Sequence, residues 1–169
     1  MKNIVLTGFM GTGKTTIGQA LAQMLHMKLV DVDEEIESAQ GMRINDIFKT
    51  HGEQHFRDME TAMIKKTSQE ENLIISTGGG AVLRDENMAA LKEKGIIFCL
   101  SASAETIMKR TGISQDRPLL KVEDPMKKIS ELLAFRRPFY EKAGIMIETD
   151  GKSPLQVADE IVEIVKWRK

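Results

Sequence analysis

Residues 8–15 read Gly-Phe-Met-Gly-Thr-Gly-Lys-Thr. Glycine, four residues, then Gly13-Lys14-Thr15 is a spacing suited to holding phosphate. The glycines let the backbone curl so that successive N–H groups point inward as an anion-binding nest. A helix beginning at the loop adds its positive N-terminal end. Lys14 would reach the β- and γ-phosphates of a nucleoside triphosphate, and Thr15 would offer a hydroxyl to Mg²⁺. Gly11, Thr12, Gly13 and Thr16 complete the expected triphosphate-binding set. A plain glycine-rich turn is the alternative, but it explains neither Lys14-Thr15 nor the flanks. Ile4, Val5 and Leu6 read as a buried strand and residues 17–25 as a helix, the context the motif requires.

Asp31-Val32-Asp33 is the next constellation. On a strand, residues two apart share a side, so both carboxylates would face the phosphate loop. There they could support Mg²⁺ through water and orient a hydroxyl nucleophile. A helix cap followed by a surface acid is the alternative, since Glu34, Glu35 and Glu37 follow at once. The third strand ends in Gly78-Gly79-Gly80 rather than in an acid, which leaves the Asp31 pair as the candidates for metal support. The triple glycine itself reads as close backbone approach to a ligand, with a flexible turn as the alternative. Arg57, Arg117 and Arg136 lie in separate segments. A forked guanidinium suits a carboxylate or a phosphoryl group, although each alone is more often a solvated surface charge.

These residues need a scaffold. Strands are expected over 2–7, 28–32, 73–75, 96–100 and 145–147. Helices are expected over 14–26, with Ile17, Leu21, Met24 and Leu25 on one face; over 34–68, interrupted near Gly41 and Gly52; over 84–94; from a Ser103 cap to about Arg110; and over 125–142. Ser153 and Gln156 form a capping box around Pro154, opening a last helix expected to bury Leu155, Ala158, Ile161, Val162 and Val165. Residues 111–124 read as a mobile loop. Alternating strands and helices imply an α/β parallel sheet with right-handed crossovers and helices on both faces. Ligands in such sheets bind beyond the carboxyl ends of the strands, where the phosphate loop, Asp31 and Asp33, and the triple glycine all fall.

The chain of 169 residues fits one domain, with 41% hydrophobic and 29% charged residues. A net charge of −1 argues against a nucleic-acid or membrane-surface binder. The chain holds one cysteine, Cys99, so no intramolecular disulfide is expected and a cytoplasmic home is. Cys99 sits in the apolar run 96–100 and reads as a core thiol. There is no signal-peptide pattern and no apolar stretch near 20 residues.

With the phosphate loop, Asp31-Val32-Asp33, Gly52-Glu53-Gln54-His55-Phe56-Arg57-Asp58-Met59-Glu60, Gly78-Gly79-Gly80, Arg117-Pro118-Leu119-Leu120 and Arg136-Arg137-Pro138-Phe139-Tyr140 in this order, the chain resembles the shikimate kinases nearly end to end. The resemblance implies a three-layer P-loop kinase fold with sheet order 2-3-1-4-5, a single domain over 1–169, a substrate-binding helical segment over about 33–61 and a lid over about 111–124. It implies phosphorylation of the shikimate 3-hydroxyl by ATP, with Mg²⁺ held by Thr15 and, through water, by Asp31. Lys14, Asp33 and Arg117 would be catalytic: Asp33 would bind the acceptor hydroxyls and assist deprotonation, and Arg117 would swing in on the lid. Arg57 and Arg136 would clamp the carboxylate, with Glu60 holding Arg57. Gly78, Gly79 and Gly80 would meet the substrate through backbone, and Phe48 and Phe56 would wall its ring, with ordinary core packing an equal alternative for the two phenylalanines. Arg110 and Pro154 would flank adenine. ATP and shikimate are the expected partners, without nucleic acid or membrane, and a monomer is expected. The lid stretch 112–116 has no assignable pattern. A related small-molecule kinase, for gluconate or a nucleotide, is the nearer alternative. A regulatory nucleotide switch is the other, but no guanine-reading Asn-Lys-x-Asp segment is present.

Overall fold

The computed structural model describes residues 2–111 and 122–167. Five strands form one parallel sheet: β1 (Asn3–Gly8), β2 (Lys28–Asp31), β3 (Leu73–Ser76), β4 (Gly95–Ser101) and β5 (Ile145–Glu148). Their spatial order is β2-β3-β1-β4-β5, as the resemblance implies. Every residue of β1 is buried, which a central parallel strand covered on both faces requires. Val5 lies in register with Ile75 of β3 and Ile97 of β4. β1 lies between β3 and β4: the chain runs from β1 out to β2, returns to β3 on that side and then crosses to β4 on the other, so a crevice opens above the carboxyl ends of β1 and its neighbours.

The period-two alternation divides the core. Val5, Ile75, Ile97 and Cys99 pack on one face with α2 (Val32–Gln40), α3 (Ile44–Ser68), α4 (Asp85–Lys94) and α6 (Pro125–Ala143). Ile4, Leu6, Ile74 and Phe98 pack on the other with α1 (Lys14–Leu25) and α7 (Pro154–Trp167). A shorter helix, α5 (Ala104–Thr111), lies beside the phosphate loop with α6. Cys99 is a core thiol whose Sγ donates to Tyr140 O at 3.2 Å. Burial pushes it up to about 12, so it is not a nucleophile.

Local chemistry sets the helix ends. Ser103 Oγ accepts from Thr106 N at 3.2 Å. The expected capping box is formed, with Ser153 N donating to Gln156 Oε1 at 2.8 Å and Gln156 N to Ser153 Oγ at 3.2 Å. Helix α2 stops at Gly41, and α3 is broken at Gly52, whose φ of 84° and ψ of 169° no helix admits.

Three expectations are corrected. Val32 is not the last residue of a strand but the first of α2, because the Asp31 carboxylate caps the helix there. Leu155 is 62% exposed; it sits in the first turn of α7, ahead of the buried stripe Val157, Ala158, Ile161, Val162 and Val165. Met24 is 38% exposed in the last turn of α1, past the stripe formed by Ile17, Gly18, Ala20 and Leu21. Both misses lie in a terminal turn, although Leu25 at the end of α1 and Val165 near the end of α7 do pack on the core. Most of the expected lid, including Arg117, lies outside the described residues. Among the described residues, no helix is long and apolar enough to cross a membrane.

Candidate active site

The phosphate end is built from one continuous stretch. Gly8, Gly11 and Gly13 all have positive φ, and α1 begins at Lys14 with no side-chain cap on its first N–H groups. Such an end favours an anion. Thr12 is buried beneath the loop, and its Oγ1 donates to Phe9 O at 2.7 Å. Lys14 Nζ donates to Gly8 O at 2.8 Å and Phe9 O at 3.1 Å, curled over the loop it would serve. Thr15 and Thr16 follow, exposed, in the first turn of α1. Arg110 reaches the loop from α5: its Nη1 donates to Gly11 O at 3.1 Å and to Thr149 Oγ1 at 3.3 Å. Pro154 opens α7 after β5. Neither Arg110 nor Pro154 lines the cavity described next.

That cavity, of about 810 Å³, runs from Lys14, Thr15 and Thr16 to Arg57 and Arg136. Asp33 enters it from the first turn of α2. Asp31 closes β2, and its Oδ1 accepts from Asp33 N at 3.0 Å and Glu34 N at 3.3 Å. The two acids therefore converge through a strand-to-helix turn, not through strand alternation, and Asp31 is also the helix cap. Arg57 is paired with Glu60, Nη1 to Oε2 at 2.7 Å, and more loosely with Glu53 at 3.4 Å. Its Cζ lies 5.2 Å from the Phe56 ring, which in turn lies 4.9 Å from Phe48. Arg136, 7% exposed, places its Cζ 5.4 Å from the Phe9 ring.

The triple glycine is the hub of this end. A Cβ at Gly78 would stand 2.8 Å from Glu60 Oε1 and 3.2 Å from Asp33 Oδ1. At Gly79 it would stand 3.0 Å from Gly8 O and 3.2 Å from Arg136 Nη1. At Gly80 it would stand 2.6 Å from Arg57 Cζ. Each absent side chain is thus space that a different charged group occupies.

The electrostatics are those of a site awaiting a partner. Burial, then the neighbouring Glu60 and Asp31 carboxylates, raises Asp33 to about 7. Burial also raises Glu60, against the pull of Arg57. Asp33 Oδ1, Glu60 Oε1, Arg57 Nε and Arg136 Nε are buried without a hydrogen-bond partner among the described residues. Buried polar atoms are normally satisfied, so orphans converging on one cavity mark a place for a polar ligand. Two arginine forks at one end suit a carboxylate, and the acid between them and the phosphate loop suits a hydroxyl.

Two groups escaped sequence reasoning. Arg84 Nη1 donates to Arg57 O and Thr61 Oγ1, each at 3.1 Å, while its Nη2 pairs with Asp58 at 2.8 Å. It braces the turn of α3 that carries Arg57. Tyr140 donates from its hydroxyl to Gly79 O at 2.7 Å. No local pattern announces either contact, for each joins segments far apart in the chain.

The donors fit Mg²⁺. Thr15 and Asp31 both line the cavity, and no group of three or more metal-ligating His, Cys, Asp or Glu occurs among the described residues. A hydroxyl and one carboxylate suit an ion that keeps most of its waters and leans on phosphate oxygens.

A sequence model of the shikimate kinase family matches residues 10–166. A shikimate kinase of Thermodesulfovibrio yellowstonii is 53% identical over 163 residues, covering 96% of this chain and 94% of its own. Among solved structures, shikimate kinase from Acinetobacter baumannii in complex with shikimate superposes with a TM-score of 0.95 at 37% identity, over 100% of this chain and 95% of the other. Shikimate kinase from Aquifex aeolicus gives 0.85 at 35% identity, over 97% and 96%.

Proposed function

The chain belongs to the shikimate kinase family, and on that premise we propose that it transfers the γ-phosphoryl group of ATP to the 3-hydroxyl of shikimate through the cavity between the phosphate loop and the arginine pair. The observation that carries this reading is the convergence of Lys14, Asp33, Arg57 and Arg136 on one cavity. The triphosphate lies in the nest of Gly11, Gly13 and the N–H groups opening α1, with Lys14 turning from Gly8 O and Phe9 O toward the β- and γ-phosphates. Thr15 and, through water, Asp31 would hold Mg²⁺, which would supply positive charge at the phosphate oxygens. Arg57 and Arg136 grip the shikimate carboxylate; Gly78, Gly79 and Gly80 meet the ring through backbone, and Phe48 and Phe56 wall it.

On this reading the acceptor hydroxyl lies at Asp33. A carboxyl titrating near 7 is matched to taking a proton at neutral pH. As the hydroxyl oxygen bonds to the γ-phosphorus, the bond to the bridging oxygen of ADP breaks and the hydroxyl proton passes to Asp33. Catalysis is positioning and charge stabilisation. From the family resemblance alone, Arg117 would stabilise the transferring group and a lid over 111–124, most of it outside the described residues, would exclude water. Arg110 and Pro154 flank the adenine. The functional unit is a single domain over 1–169 acting as a monomer in the cytoplasm, a setting consistent with the buried free thiol of Cys99.

The test is ADP release measured with Mg²⁺, with and without shikimate. Shikimate-dependent ADP and a phosphorylated product are expected. ADP release that ignores shikimate, or that needs gluconate or a nucleotide instead, overturns the reading.

A further inference from the structure

Tyr140 is the single tyrosine of the chain, and its ring is buried on α6. A buried phenol needs a partner, and this one donates to Gly79 O at 2.7 Å. The neighbouring carbonyls are served within their own turn: Gly78 O accepts from Ala81 N and Gly80 O from Leu83 N, each at 3.1 Å. The middle carbonyl of the triplet is thus held from another element. That element also carries Arg136, one helical turn before Tyr140. The Gly79 backbone, Arg136 and the carbonyl of Gly8 meet at one point.

We propose that Tyr140 is a positioning residue for the acceptor: its hydroxyl fixes the orientation of the peptide between Gly79 and Gly80 and locks the triple-glycine turn to the helix that presents Arg136. The inference rests on the reading that this end of the cavity takes the acceptor. Glycine on both sides leaves a peptide plane free to rotate. In a trans peptide the C=O and the following N–H point oppositely, so a carbonyl tied to Tyr140 dictates where the Gly80 N–H is presented. Burial holds the phenol protonated, up to about 12, so it remains a donor throughout the working range.

The experiment is Tyr140→Phe, which removes one oxygen and keeps the ring, with shikimate binding measured calorimetrically beside steady-state kinetics and a thermal melt. The Kd and KM for shikimate should rise about three- to tenfold, as for loss of one buried hydrogen bond, while kcat and the KM for ATP stay within about twofold. A folded variant with wild-type shikimate affinity overturns the proposal, and so does an equal loss toward ATP, which would mark general loosening. Because the wild-type chain has one tyrosine, its ultraviolet difference spectrum reads Tyr140 alone among tyrosines and needs no variant. Saturating shikimate should perturb the tyrosine band, and a silent band contradicts the proposal even where the variant fails to fold. A wild-type protein that binds no shikimate overturns the functional reading and this proposal with it; binding with an indifferent Tyr140→Phe overturns the proposal alone.

Discussion

The two ends of the cavity are made differently. The phosphate end is eight consecutive residues, and what it offers is mainly main-chain N–H groups at a helix start. The acceptor end gathers side chains from α2, α3 and α6 around a turn after β3. A backbone nest persists if the loop folds. The acceptor end needs buried charges to be held against one another, and it holds them by pairs such as Arg57–Glu60 and by the absence of three side chains. The nest itself reads phosphate and not the acceptor, so any selection among acceptors must come from the second end.

Lys14→Ala should be the most severe, lowering kcat by roughly 10²–10³-fold, as for loss of a preorganised donor, with shikimate affinity close to unchanged; single-turnover kinetics with calorimetry separates the two. Arg57→Ala or Arg136→Ala should act in the opposite sense. Each should raise the KM for shikimate about ten- to a hundredfold, roughly 1.5–3 kcal/mol for a charge-assisted hydrogen bond, and leave the KM for ATP alone. Gly80→Ala drives a methyl into the Arg57 guanidinium. It should cost about 1–3 kcal/mol in denaturant unfolding and weaken shikimate more than ATP.

The pH dependence follows from Asp33. Its carboxyl rises from 3.8 in the unfolded chain to about 7 in the folded one. The proposed proton acceptor is thus lost as pH falls through about 7, and kcat/KM for shikimate should drop on the acid side, a limb absent from Asp33→Asn. For stability the sign is reversed. Between about 4 and 7 the folded chain keeps a proton the unfolded chain has released, so this group's contribution is present below 3.8 and declines as pH rises to about 7. Urea unfolding at pH 5 and 7 should show the wild type losing stability relative to Asp33→Asn. The smallest effect belongs to Leu155→Ala. At 62% exposure it should stay within about 0.5 kcal/mol of the wild type.

How much the sequence discloses follows the same division. The phosphate loop, the Ser103 cap and the Ser153–Gln156 box are contiguous, so their spacing carried them. The alternation of strands and helices gave the parallel sheet, while its order came from the resemblance and not from periodicity. Asp31 and Asp33 were placed at the correct strand end by the wrong geometry, because a local cap ended β2 one residue sooner than alternation supposed. The apolar period assigns Leu155 and Met24 to a core, yet they are 62% and 38% exposed. Arg84 and Tyr140 act across 27 and 61 residues of chain. Only the folded topology brings such partners together, and no local pattern encodes the pairing.

The proposed arrangement has the arginine pair reading the acceptor's carboxylate while the hydroxyl faces Asp33 and the phosphate loop. Its most direct test is the KM for shikimate against that for shikimate methyl ester, in the wild type, Arg57→Ala and Arg136→Ala. The wild type should prefer the acid by about ten- to a hundredfold, and each variant should lose most of that preference by weakening on the acid alone. Variants that keep the full wild-type preference would contradict the account, for the carboxylate would then be recognised elsewhere.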